Sequence, residues 1–405
     1  MGERMSVQAR STVTLGNVDG DLEVGEYAVV KGTGTPPTIK VDGTIHCAGH
    51  NKFECNVTAE SLQAEEKVTV HGDLDVKENV EVEDGSLEVY GKMNAQDIDV
   101  DDKLYVSRDL HAENIDIGGS LNVDGSVEAE EIDVGGTFET KGKLKAKSID
   151  VGGTVLADAA VDVETLDVGG TVRVAGGKIR EIDVGGSFES AGPLEFESIE
   201  VGGTVNIRGN SKGEEIEVGG SFRTEGDIEF TEIEVGGRVE ITGTATGNDL
   251  EVGGRAEVGS LKLSRTLEVG GKISSNGEIT AGRIEVGGSL EAKKATAEEH
   301  VEVGGSVDTV EGLRARSIEI GRHAQVRGDL RAEEIEIERD AHVENVYGKR
   351  IFLRSGASAN NVYGEEITIE SHCRVNGEIQ YTREIRVAPG ASLTKTPQKV
   401  DKLPL

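Results

Sequence analysis

Tryptophan is absent from this 405-residue sequence, and aromatic residues make up only 3% of it. A large globular core built on bulky rings is thereby excluded, as is a sugar-binding groove floored by aromatic platforms. Proline is scarce, at 6 residues, so the 56 glycines do not belong to a collagen-like or proline-rich disordered chain. Three cysteines, Cys47, Cys55 and Cys373, form no disulfide framework, and an odd count fits a reducing compartment. No run approaches the roughly 18 apolar residues of a membrane helix. The opening MGERMSVQARSTVTLGNVDG lacks the apolar stretch of a secretory signal. A cytoplasmic protein is expected. Cations are also short: 43 Lys and Arg stand against 76 Asp and Glu, a formal charge of −33. That field repels phosphates and anionic headgroups, so neither a nucleic acid nor a membrane is expected as partner.

What is abundant is one phrase. IDVGGTFETKGKLKAKS, from Ile132 to Ser148, is followed at once by IDVGGTVLADAAVDVET. The first glycine of each such corner falls at Gly118, Gly135, Gly152, Gly169, Gly185, Gly202, Gly219, Gly236, Gly253, Gly270, Gly287, Gly304 and Gly321. Neighbours are 17 residues apart, except Gly169 and Gly185, which are 16 apart. Drift so small argues against independent domains on linkers and points to a stacked repeat. Inside a unit the inward residues come as i, i+2 pairs: Ile182 and Val184, Phe188 and Ser190, Leu194 and Phe196. Each pair lies on one face of a short extended segment. Nothing recurs at i, i+3, i+4, and two glycines per turn would each cost a helix about 1 kcal/mol.

The spacing therefore predicts an all-β chain, a single long parallel β-helix with three short strands per 17-residue turn. Right-handed winding is expected, because parallel crossovers favour it and corner spacings of 4, 4 and 3 do not suit the equal sides of a left-handed hexapeptide coil. The glycines sit where the chain bends to begin the next face, a place that often needs positive φ. Residues 62–393 are assigned to the β-helix, with roughly 19 turns and, at about 4.8 Å per turn, a rod on the order of 90 Å. Residues 1–61 show apolar pairs without clear register, interrupted by Pro36-Pro37, and are expected to form an irregular β cap. Residues 394–405 are expected to be a flexible tail.

Repeats of the form apolar-x-apolar-Gly, with three inward pairs per turn and no sizeable loops, resemble the bactofilins over about residues 62–393. The resemblance implies a polymer-forming cytoskeletal protein with a right-handed β-helix core. It also implies nucleotide-independent filaments in which like ends join, giving no overall polarity. The chain departs from that family in its length and in its strict VGG corner. The energetics of the coil point towards assembly as well. A lone turn gains about 10 kcal/mol from six inward side chains, and ordering seventeen residues costs about twice that. Each turn therefore needs neighbours, and a terminal turn must be capped or joined to another chain. The partner expected is a second copy, through the terminal turns, and no cofactor is expected.

One outward position is acidic turn after turn: Asp116, Asp133, Asp150, Asp167, Asp183, Glu200, Glu217, Glu234, Glu251, Glu268, Glu285 and Glu302. Stacked turns would place these carboxylates in a column about 4.8 Å apart, where like charges destabilise a sheet. Either duplication simply copied a solvated position, or the column attracts divalent cations and tunes lateral contacts. The soft ligands His46, Cys47, His50 and Cys55 form a weak candidate metal cluster whose spacing matches no standard zinc module. A β-helix enzyme acting on acidic polysaccharides would need long loops to wall a cleft, and none interrupts the repeat between Ile98 and Ile335. No catalytic residue is assigned, and a non-enzymatic role is expected. A non-polymerising scaffold or adhesin displaying its acidic face is the alternative.

Overall fold

The computed structural model describes residues 4–404 and divides the chain into two compact units, 1–203 and 204–405. Both are β-solenoids. The described residues contain no helix, and their parallel strands stack into about 23 turns in all. The local reason is the i, i+2 patterning: inward residues such as Ile132, Val134, Phe138, Leu144 and Ala146 are buried, while the residues between them face solvent.

In the first unit, each strand pairs with the strand one turn away. Leu22 of Leu22–Val24 faces Ile45 of Thr44–Cys47, and Ile45 faces Leu62 of Ser61–Ala64. The same register then runs regularly from Asn79–Val82 to Ser198–Val201. The described part of the stretch expected as an irregular cap, residues 4–61, is coiled like the rest, beginning with Met5 opposite Leu22. Their register was hidden by an excursion between the second and third faces. Thr33 and Thr38 exchange two backbone hydrogen bonds, of 3.1 and 2.9 Å, closing a small loop that holds Pro36-Pro37. Leu22 therefore pairs with Ile45 instead of a residue one repeat on.

The second unit is built the same way, with Glu215–Val218 on Glu232–Val235 and so on to Glu334–Ile337. Later in the same unit, His342–Leu353 and Ser358–Ile369 each run across two faces and pair along most of their length. The stretch expected as a flexible tail contributes Gln398–Lys399, paired with Gln380 and Tyr381. These terminal coils account for the turns beyond the expected 19.

The corner glycines correct one expectation. None of Gly118, Gly135, Gly152, Gly169, Gly185 or Gly202 has a positive φ, and the same holds for the first corner glycines of the second unit. Their requirement is proximity. A Cβ on Gly152 would lie 2.5 Å from the carbonyl oxygen of Gly135, and one on Gly169 would lie 2.6 Å from that of Gly152. The backbone of each corner rests on the corner of the preceding turn, leaving no room for a side chain.

Inward volumes are balanced within and between turns. Phe138 is followed two residues on by buried Thr140, and Phe188 by buried Ser190. Their hydroxyls are satisfied by backbone carbonyls, Thr140 by Gly125 at 3.0 Å and Ser190 by Gly192 at 2.8 Å. In the second unit Phe230 lies against Gly247, whose Cβ would enter the phenyl ring. Phe222 is followed by Thr224, which is fully buried and whose Oγ1 finds no hydrogen-bond partner among the described residues. An unpaired buried hydroxyl costs about 1–3 kcal/mol. Thr224→Val keeps the shape and removes that cost, so it is expected to raise stability by about 1 kcal/mol. Unchanged or lower stability in urea melts would contradict this account.

Candidate functional surfaces: an acidic column and two open edges

Because the turns are in register, the acidic position becomes a column in each unit. In the first unit Asp116 faces Asp133, followed by Asp150, Asp167, Asp183 and Glu200. In the second, Glu217 faces Glu234, followed by Glu251, Glu268, Glu285 and Glu302. Each column also extends past these residues. Glu81 and Asp99 precede Asp116, and Glu319 and Glu336 follow Glu302. Partial desolvation and neighbouring carboxylates hold Asp99, Asp133 and Asp167 above the ordinary aspartate range. The same causes raise Glu251 and Glu319.

The other outward positions handle charge differently. On the third face of the first unit, the central outward residues run Glu128, Lys145, Asp162, Lys178 and Glu195, alternating in sign. Lys145 pairs with Glu128 at 2.8 Å and Lys178 with Glu195 at 3.6 Å. Arg173 likewise meets Glu189 at 3.1 Å on the second face. A solvated strand position in this protein thus has a charge-compensated solution available; the second unit's column uses it at Glu285, paired with Arg283 at 3.6 Å, and at Glu336, paired with Arg354, and no such pair is seen from Asp116 to Glu200 among the described residues.

The soft-ligand cluster does not converge. Cys47 and Cys55 point into the core, where burial pushes their thiols up to about 12 and about 11. His46 is on the opposite side of its strand, in the outward column between Glu23 and Gln63. His50 occupies a corner with φ of 54°, stacked on Tyr27 at 4.9 Å and with its Nδ1 against the Glu66 carboxyl group. Among the described residues, no three His, Cys, Asp or Glu side chains are placed to hold a metal ion. Cys373 is also buried, its thiol donating to the carbonyl of Arg354 at 3.0 Å. An open groove of about 670 Å³ runs beside the first turns, lined by Glu23, His46, Gln63 and Glu81 among others.

Two features escaped the sequence reading. Near the end of the second unit, Asn361 donates to Asn345 at 2.8 Å, and Asn345 donates to Asp329 at 3.0 Å, forming an amide ladder. Beside it Tyr347 stacks on Tyr363 at 5.0 Å, with the Arg331 guanidinium 3.9 Å from the Tyr347 ring centre. The near-copies NVYGKRI and NVYGEEI, sixteen residues apart, were the available signal. The second is the identity of the residues at the open edges that a terminal turn was expected to present. Met5 and Val387 occupy core columns, opposite Leu22 and Ile369 respectively, yet are 40% and 42% exposed. Each lies in a turn with a neighbour on one side only among the described residues.

No family model, curated protein or solved structure matches this chain. Among the described residues no helix is long and apolar enough to cross a membrane.

Proposed function

We propose that this protein is a non-enzymatic structural element, bactofilin-like in its use of a β-solenoid, that assembles through its terminal turns into cytoplasmic, nucleotide-independent filaments. The observation that carries this reading is the exposure of core-column residues Met5 and Val387 at the two open edges. Unpaired strand edges flanked by apolar side chains are templates for further strand pairing. Purified protein without nucleotide is expected to form filaments in negative stain and a concentration-dependent series of species in sedimentation velocity. A single monomeric species at all concentrations would overturn the proposal and leave the non-polymerising acidic scaffold as the better reading.

The acidic column supports a role in lateral contacts between filaments. Carboxylates on one face that mostly lack a cationic partner repel a like face, and divalent cations bridge such faces more effectively than monovalent ones at equal ionic strength. Light scattering is expected to rise on adding millimolar Mg²⁺ or Ca²⁺ but not on adding NaCl of matched ionic strength. Equal responses to the two would remove the column from the mechanism.

A further inference from the structure

We propose that the segment following Val400 is a strap that closes over the last edge, where Leu403 seats on Ile385 and competes with the strand of a second copy. The inference rests on the end-to-end reading above and concerns how one end of the chain limits its own pairing. The last edge is made of Glu384–Val387, Ser392–Leu393 and Gln398–Lys399, and these meet the open side differently. The Gln398–Lys399 face is blunted. Pro397, one residue before Gln398, continues the column of Val362 and Ile379. In that column the N–H is directed to the following turn, as Val362 N–H is to Glu378 C=O at 2.9 Å. A proline there offers an incoming strand no donor. Lys399 stands in a column held further back by Gly348, Gly364 and Tyr381, and a charge in such a place also discourages strand addition. Ser392–Leu393 is short, at 2 residues. Glu384–Val387 is left unguarded: Ile385 is half-buried and Val387 is 42% exposed. Ala388 N–H donates back to Ile369 C=O at 2.8 Å, so Ile385 C=O and Val387 N–H face the open side.

The chain leads its own next residues to that place. Gln398 and Lys399 lie opposite Gln380 and Tyr381, and Val400 N–H donates to Tyr381 C=O at 2.9 Å. The same offset sets Leu403 on Ile385 and Pro404 on Arg386. Leu403-Pro404-Leu405 also repeats the apolar-x-apolar spacing of Ile385-Arg386-Val387. Past Val400, no backbone hydrogen bond joins the described residues of the segment to the turn beneath, and Leu403 is half-buried. Pro404 keeps the strap releasable. A residue opposite Arg386 donates to Ile385 C=O and accepts from Val387 N–H, and proline can only accept. A strand from a second copy with any other residue at that place makes both bonds and displaces the strap as its concentration rises.

Two substitutions in the full chain move the strap in opposite directions. Leu403→Ser removes the apolar seat and is expected to lower the concentration at which filaments appear in sedimentation velocity. Pro404→Ala restores the missing donor and is expected to raise it. Each change is about three- to tenfold, the worth of one net hydrogen bond or one part-buried side chain. Thermal melts and far-UV circular dichroism matching the parent establish that both variants fold. A second readout does not depend on assembly. In dilute protein, amide hydrogen exchange at Val387 is expected to be slower than in the parent for Pro404→Ala and faster for Leu403→Ser. Equal exchange at Val387 and equal assembly concentrations in all three proteins would overturn the strap and leave end-to-end assembly intact. A parent that never assembles would overturn the underlying reading, and the exchange rates alone would then decide for or against the strap.

Discussion

Gly152→Ala is expected to destabilise the first unit by about 1–3 kcal/mol, the range for forcing extra atoms into a filled space, and Gly152→Asn by at least as much. The prediction follows from distance and not from dihedral angle. The Gly152 backbone has no positive φ, and a Cβ there would sit 2.5 Å from the Gly135 carbonyl oxygen. Either substitution must move one corner off the next. Gly34 provides the opposite case within the same unit. Its φ is +87°, and the nearest atom to an added Cβ, the Pro36 carbonyl oxygen, is 3.6 Å away. There alanine is expected to cost about 1 kcal/mol through backbone strain, and asparagine less, because asparagine enters the left-handed region more readily. The rank order of Ala and Asn thus distinguishes a glycine kept for closeness from one kept for conformation. Chemical denaturation of the four variants reads it directly. Asparagine outperforming alanine at Gly152 would return the corner to the positive-φ explanation.

The same contrast locates what was legible in the sequence. Paired apolar residues such as Ile182 and Val184 record which side of a strand is buried, and the seventeen-residue period records the length of a turn. Those two quantities determine a three-sided coil and place Asp133 beside Asp150 without further information. The reason for a glycine was not legible, because positive φ and lack of space both select the residue without a side chain. Register also failed where chain length and coil length part company. The excursion closed by Thr33 and Thr38 adds residues without adding a rung, so the first turns looked irregular. That a terminal turn lacks a neighbour follows from the stacking energetics, but which residues it exposes could not be read from pattern. Met5 and Val387 have ordinary apolar identities, and only their one-sided pairing exposes them.

Neutralising the middle of the first acidic column, with Asp133→Asn, Asp150→Asn and Asp167→Asn together, is expected to stabilise the protein at pH 7 and low ionic strength by about 1–3 kcal/mol. Four adjacent like-charge contacts disappear, each of a kind worth roughly 0.2–1 kcal/mol across neighbouring strands. The sign of the pH dependence follows from the direction of the shifts. Asp133 and Asp167 have folded-state values raised by desolvation and by neighbouring carboxylates. The fold therefore favours their protonated forms, and their contribution to stability is lost as pH rises from the ordinary aspartate value through the raised one. Asp109 and Asp124 act in the opposite sense: hydrogen bonds from Lys92 and Lys141, respectively, lower them, so their contributions are lost as pH falls. Total stability mixes both groups, but the difference between variant and parent isolates the column. That difference is expected to be largest at pH 7, to shrink towards zero near pH 3, and to fall at pH 7 as salt screens the parent's repulsion. Paired urea melts at the two pH values and two salt concentrations measure it. A variant less stable than the parent at pH 7 would mean that the carboxylates are held by attraction, and the column would then be a cation-binding stabiliser of the single chain instead of a repulsive face awaiting a bridge.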